Sequence, residues 1–234
     1  MEDILIIGVG GCGNNFVSSE ICSKEFSDVT KYAINTEEQF LNRVAIKNKI
    51  LIGKSLTGGL GVGGNPEIGE KAANDCVEEL AKIIGDDNIV FIVAGFGGGT
   101  GTGASPIIAD IAHKKGLFTI GIFTRPFDFE SKLIDENHIP LRLEYFETGL
   151  KKMLNNVDIV CIIPNQDVYN HIRNDKLMEE AFEKINEVIS KCIKIFQQTL
   201  TKDCFIQKAT DAKIKIQETI KDWNVDVILG KRYE

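Results

Sequence analysis

The chain has 234 residues, 43% of them hydrophobic and 26% charged, which is enough to bury one large core and excludes a disordered or collagenous protein. A formal net charge of -7 gives no broad cationic surface for a phosphate backbone, so nucleic acid is not an expected partner. No run approaches the roughly 20 apolar residues of a membrane helix, and Met1-Glu2-Asp3-Ile4-Leu5 lacks the basic start of a secretory signal. The cysteines at 12, 22, 76, 161, 192 and 204 form no close pair, so they read as reduced thiols of a cytoplasmic protein with no direct membrane insertion.

Taken in chain order, Ile4-Leu5-Ile6-Ile7 is a short, continuous apolar run, as a strand covered on both faces would be. The segments Tyr32-Ala33-Ile34 and Lys49-Ile50-Leu51-Ile52 supply shorter strands, and Ile89 to Val93, Phe118 to Phe123 and Ile159 to Ile163 repeat the buried pattern. Helical spacing fills Pro66 to Ile84 and Ser105 to Lys115, so strands and helices alternate. The expected fold is α/β, a Rossmann-like, mostly parallel sheet of about six strands flanked by helices. From Lys176 to Leu200 apolar residues recur every three or four positions, predicting one long amphipathic helix. Residues 1–200, with this helix at 176–200, read as one domain. Residues 201–234 read as a short appendage: a polar loop, a short helix near Ala212 to Lys221 and a strand at Val225 to Leu229, too little for a second domain.

Three glycine clusters interrupt this pattern. The first strand runs into Gly8-Val9-Gly10-Gly11-Cys12-Gly13-Asn14-Asn15, where a helix begins. Glycines let backbone approach a phosphate closely, and the free amides at a helix start attract the anion. The spacing G-x-G-x-x-G alone also suits a dinucleotide-binding oxidoreductase or a packing turn. The stretch Gly97-Gly98-Gly99-Thr100-Gly101-Thr102-Gly103 places five glycines and two threonines in seven residues ahead of Ser105-Pro106, poor packing material but a good nest of amides and hydroxyls for phosphate oxygens. This second cradle has no role in the oxidoreductase fingerprint. Gly58 to Gly64 forms a third cluster, either a phosphate sensor or a mobile connection, and none of the three ends in Gly-Lys-Ser or Gly-Lys-Thr.

Gly97 to Gly103, as G-G-G-T-G-T-G, resembles the signature of the tubulin/FtsZ superfamily, and the other landmarks follow in that family's order over roughly residues 1–200. Gly8 to Asn15 is similar to the first glycine loop of the family, Asn35-Thr36 to the loop after the second strand, and Leu56 to Pro66 to the γ-phosphate loop. Thr124 to Glu130 is similar to the FtsZ segment leading to the ribose, and Ile163-Pro164-Asn165 to the one reaching the base. The resemblance implies GTP or GDP as ligand, with Mg²⁺ accompanying the triphosphate. It places Gly10, Gly11, Cys12, Asn14 and Asn35 beside the nucleotide, Gly61, Gly63 and Gly64 at the γ-phosphate, and Gly97, Gly98, Gly99, Thr100, Gly101, Thr102 and Gly103 around the phosphates. Glu130 falls at the ribose and Asn165 at the base; Phe182 matches the aromatic residue that stacks on guanine, and Asn186 the polar residue that bonds its edge. Helical spacing alone would make Phe182 a core residue.

The chain also departs from FtsZ. The arginine expected four residues after Glu130 is Ile134, which removes one nucleotide contact. The Asn-x-Asp-x-x-Asp element that completes a neighbouring subunit's site falls on Gln207, Ala209 and Ala212. Asp211 would serve only if that loop shifts by one residue, and Asp203 only if it is remodelled; otherwise both are solvated loop charges. The chain ends where FtsZ begins its second domain. The resulting expectation is a divergent, minimal FtsZ-like protein of the cell-division cytoskeleton whose nucleotide controls self-association into an oligomer or filament. Its hydrolysis would be weak or completed by a second subunit. The alternative is an inactive GTP-binding switch or scaffold that joins a protein adaptor.

Overall fold

The structure is a computed structural model that describes residues 4–85, 89–130, 141–172, 178–199 and 205–231, the side chains of 205–209 and 222 excepted. Seven strands form one sheet in the order β3-β2-β1-β4-β5-β6-β7. They are β1 (Ile4–Val9), β2 (Thr30–Asn35), β3 (Lys49–Leu51), β4 (Ile89–Gly95), β5 (Phe118–Arg125), β6 (Ile159–Pro164) and β7 (Asp226–Leu229). All pairings are parallel except that of β7 with β6. The chain leaves β1 toward β2 and β3, then returns to lay β4, β5 and β6 on the other side. The order therefore reverses between β1 and β4, where an open α/β sheet leaves a crevice at its strand ends.

Because side chains alternate across a strand, each central strand feeds two cores. Ile6, Phe91, Val93, Ile120, Ile122, Cys161 and Ile163 belong to one; Leu5, Ile7, Val90, Ile92, Ala94, Phe123, Val160 and Ile162 to the other. The first core takes its helical residues from α1 (Gly10–Ser18), α2 (Glu20–Glu25), α3 (Glu38–Arg43), α9 (Asn165–His171), α10 (Met178–Thr199) and α11 (Phe205–Thr219). The second takes them from α5 (Pro66–Asn74), α6 (Val77–Ile83), α7 (Thr100–Lys114) and α8 (Leu141–Met153). A single turn, α4 (Lys54–Thr57), precedes the third glycine cluster. No described helix is long and apolar enough to cross a membrane.

Three elements differ from the sequence expectation. The helical stretch from Pro66 to Ile84 is two helices, because the backbone leaves helical geometry at Cys76 (φ -116°, ψ 16°). Helix α7 starts at Thr100, not Ser105, so the glycine-threonine run is its first turn and Pro106 lies inside it. The polar loop after residue 200 is helical from Phe205, and the segment read as an appendage sends Ala212, Ile216, Ile220, Val225 and Val227 into the first core.

The long helix expected at 176–200 is α10, described as Met178–Thr199. Its buried stripe includes Ile185, Val188, Ile189, Cys192, Ile193 and Phe196, and the Phe196 ring meets that of Phe91 on β4 at 6.3 Å between centroids. A polar clamp ties it to α2: Glu25 accepts from the hydroxyl of Ser190 and pairs with the Lys194 ammonium at 2.6 Å. Burial alone would raise the Glu25 carboxyl, but the hydrogen bond and charge of Lys194, with the Ser190 hydroxyl, hold it below its ordinary value. A depressed carboxylate stabilises the fold above its unfolded pKa and loses that contribution as pH falls through the folded one. Glu25→Gln is therefore expected to cost about 1 kcal/mol at neutral pH and to make the decline in stability below about pH 4.5 shallower. Denaturant melts of both proteins from pH 3 to 7 check this; parallel curves would show that the clamp contributes nothing.

Candidate functional site

The first two glycine clusters meet at the β1/β4 switch point. Helix α1 lies directly on the sheet: a Cβ on Gly13 would stand 2.1 Å from the carbonyl oxygen of Val93 and 2.9 Å from Cα of Gly8, and Gly8 and Val93 are themselves paired across β1 and β4. Only glycine permits that approach. At Gly10, φ is +68°, and a Cβ there would meet the Gly101 amide nitrogen at 2.9 Å, so the two loops touch backbone to backbone. The N-termini of α1 and α7 consequently open onto one space, each with unpaired amides and the positive end of a helix dipole.

Side chains brace this arrangement from behind. Asn14, fully buried, donates through Nδ2 to the carbonyls of Gly8 (2.8 Å) and Ile34 (3.2 Å) and accepts from Asn35 Nδ2 at 2.8 Å. Asn35 Oδ1 accepts from the amides of Thr36 and Glu37. The Thr36 and Thr100 hydroxyls lie 2.7 Å apart, linking the loop after β2 to the start of α7. The Thr102 hydroxyl accepts from the Gly97 amide at 2.9 Å and closes the second loop on itself. The third cluster is anchored as well: the Gly61 amide donates to the Thr36 carbonyl at 3.1 Å, and buried Val62 packs on Gly99.

The three clusters wall one end of a cavity of about 720 Å³. Of the expected residues, Gly10, Gly11, Cys12, Asn35, Gly61, Gly63 and Gly64 line it. So do Gly98, Gly99, Thr100, Gly101, Glu130, Asn165, Phe182 and Asn186. Gly97, Thr102 and Gly103 stand behind the lining, as does Asn14. At the far end Phe182 is 46% exposed, an open ring rather than a core residue, set edge-on to Phe127 at 5.9 Å and 85°. Phe129 stacks on Phe127 at 5.3 Å. Asn165, only 7% exposed, has its Oδ1 buried with no hydrogen-bond partner among the described residues. Burial pushes the Cys12 thiol above its ordinary value; the hydrogen bond with the Thr124 hydroxyl partly offsets this and the Glu130 charge adds to it. The thiol is thus a neutral wall of the cavity rather than a nucleophile.

Of the two candidate acids, Asp203 lies outside the described residues. Asp211 is exposed on α11, one position before fully buried Ala212, and does not line the cavity. One residue along a helix is a rotation of about 100°, so Asp211 cannot replace Ala212 by a simple shift. Sequence reasoning missed Glu37, Phe40 and Arg142, which also line the cavity. Glu37 directly follows Asn35-Thr36 and Phe40 lies three residues further on in α3, so both were within reach of a longer reading of that segment. Arg142 comes from α8 and had no local signal.

A family model described as "Tubulin/FtsZ family, GTPase domain" matches residues 3–173. The chain is 38% identical over 203 residues to cell division protein FtsZ 1 of Methanocaldococcus jannaschii, covering 87% of this chain and 53% of that protein. It is also 38% identical over 191 residues to FtsZ of Aquifex aeolicus, covering 82% and 50%. It thus spans about half the length of the curated relatives it matches. Among solved structures, an empty FtsZ dimer of M. jannaschii superposes with a TM-score of 0.74 at 37% identity, over 87% of this chain and 56% of that one. A GTPγS-bound protofilament of CetZ2 from Haloferax volcanii superposes at 0.72 over 87% and 61%, and at 22% identity it shares the fold.

The glycine contacts can be tested by contrast. Gly13→Ala is expected to destabilise the fold by roughly 1–3 kcal/mol or more, since α1 must lift off β4. Gly63→Ala meets no atom within 4 Å and bears only the strain of φ +57°, about 1–2 kcal/mol. Urea midpoints of the two variants rank them; equal losses would mean that the close approach at Gly13 is not limiting.

Proposed function

Because the chain belongs to the tubulin/FtsZ family through its GTPase domain, we propose that it binds GTP and GDP at the β1/β4 switch point and that the nucleotide controls its association with further copies of itself, as in a division cytoskeleton. The observation that carries this reading is one cavity lined by amide-rich helix starts, by an open aromatic ring and by a buried amide oxygen with no hydrogen-bond partner among the described residues. That is the layout of a nucleoside polyphosphate: phosphates on Gly10 to Cys12 and Gly98 to Gly101, base on Phe182 with Asn165 and Asn186. Asn165 Oδ1 is an acceptor placed for the N–H edge of guanine. The assembled states of the matched FtsZ dimer and CetZ2 protofilament support self-association.

Gly61 to Gly64 would report the terminal phosphate, since this loop is bonded to Thr36 and packed on Gly99. Mg²⁺ fits the donor set: the Glu37 carboxylate beside Gly61, completed by phosphate oxygens and water. When bound it would neutralise phosphate charge. In this reading a single subunit hydrolyses slowly, because Glu130 is engaged by Arg142 and by the Phe127 amide and no other carboxylate except Glu37 lines the cavity among the described residues. An acid from a second copy would complete the site, and Asp211, exposed on α11, would serve only with a rearrangement of that helix start. The second reading, a switch or scaffold that binds GTP without turnover and joins a protein adaptor, is favoured by the burial of Ala212 where an acid would be needed.

GTP turnover measured over a wide range of protein concentration, with sedimentation in GTP and in GDP, separates the two. Turnover per subunit that climbs with concentration, with pelleting in GTP alone, is the expected result. Tight binding with neither would establish the switch, and fast turnover independent of concentration would overturn both. Phe182→Ala should weaken GTP and GDP alike by about tenfold or more, the value of one base-to-ring stack, as read by calorimetric titration.

A further inference from the structure

Residues 220–229 read by composition as part of an appendage, yet they grip the two helices that carry Asn165, Phe182 and Asn186. Strand β7 pairs antiparallel with β6, Asp226 opposite Ile162, and β6 runs through Pro164 straight into Asn165, the first residue of α9. Ahead of β7 stands a 3-10 turn, Lys221–Trp223, closed by Asn224 in the left-handed region (φ 47°, ψ 39°). Ile220, Val225 and Val227 anchor the segment in the first core. Its polar and ring contacts reach α9 and α10. Asn224 Nδ2 donates to Asp167 Oδ2 at 3.0 Å. The half-buried Trp223 ring lies 5.1 Å from that of His171, the last residue of α9, and Lys184 Nζ on α10 stands 5.4 Å from its centroid. Asp167 is two residues past Asn165, and Lys184 is two residues from both Phe182 and Asn186. Two positions along a helix turn a side chain by about 200°, so the segment holds both helices from the side away from the cavity, and none of its residues lines that cavity. Helix α9 passes the hold on: Gln166 Oε1 accepts from the Asp128 amide at 3.1 Å, next to Phe127, whose ring meets those of Tyr169 and Phe182.

We propose that residues 220–229 are a strap that sets the position of the base-binding residues, with Trp223 and Asn224 as positioning residues that act through α9 and α10. This rests on the guanine-nucleotide reading above. A helix of seven residues such as α9 has little stability of its own and takes its orientation from what packs on it, and the strap supplies that packing behind Asn165. The glycine loops are held separately, by the main-chain contacts of Gly13 and Gly10. Release of the strap therefore loosens the grip on the base and leaves the phosphate cradle as it was. Because coupling between two sites is reciprocal, an occupied base site in turn favours the docked strap.

The test is the affinity of the intact chain for guanosine, GDP and inorganic tripolyphosphate, by calorimetric titration, for wild type, W223A, W223F and N224G. W223A and N224G are each expected to weaken guanosine and GDP by a common factor of about two to ten, the range of one lost polar contact, and to leave tripolyphosphate unchanged. W223F, which keeps a ring against His171 and Lys184, should recover most of the loss. Glycine adopts the left-handed backbone of Asn224 without strain, so N224G removes the bond to Asp167 while every buried side chain stays in place. It carries the series if circular dichroism shows W223A unfolded. Unchanged affinity for guanosine and GDP in every folded variant would overturn the proposal. An equal loss for tripolyphosphate would do so too, since the segment would then be a general brace of the fold. A wild type that binds neither guanosine nor GDP would overturn the nucleotide reading itself, an outcome visible without any variant.

Discussion

The arrangement depends on one close contact, the backbone of α1 at Gly13 against the paired backbones of Gly8 and Val93. Had a side chain stood there, α1 would ride higher on the sheet, its first amides would point past the switch point, and Gly10 would not reach Gly101. Because the contact is main chain to main chain, it fixes the height of α1 more firmly than interdigitating side chains would. The second loop and the start of α7 take their position from it. The Thr36 to Thr100 hydroxyl contact then brings the loop after β2 to the same place.

The division of labour among side chains follows. Residues that look like ligand-binding groups in a linear reading divide into those facing the cavity and those that hold the loops facing it. Asn14 and Thr102 belong to the second kind: Thr102 spends its hydroxyl on the Gly97 amide, and Asn14 spends its amide group on the Gly8 and Ile34 carbonyls and on the Asn35 side chain. Elsewhere in the cavity Asn165 Oδ1 is buried with no hydrogen-bond partner among the described residues. In the proposed reading, a site that binds phosphates with main chain and a base with side chains needs rigid support at the first end and open valences at the second.

This difference also explains what could be read in advance. The strands, the long helix and the glycine loops were legible because each is a local pattern: β-branched runs, a three-to-four residue period, and glycine density unsuited to a core. The start of α7 was misplaced because Gly-Thr-Gly-Thr-Gly reads as loop by propensity, whereas packing on β4 and α5 makes it helical. The break at Cys76 did leave a mark, the weak helix formers Asn74-Asp75-Cys76, but the helical spacing on either side of them masked it. Arg142 was invisible for a different reason. Its pairing with Glu130 spans twelve positions, and only the path of α8 beside Gly97 creates it.

The main-chain character of the proposed phosphate end has a chemical corollary. Peptide N–H groups have no accessible protonation equilibrium, so a cradle built from them keeps the same donors from acid to alkaline conditions. Acidity changes in the surroundings would act on the ligand's own phosphate ionisation and on a few carboxylates at the rim, not on the cradle. Apart from the Thr100 hydroxyl, substitution of side chains there alters shape and leaves the peptide donors in place. Its chemistry would be exposed instead by replacing individual peptide bonds with esters.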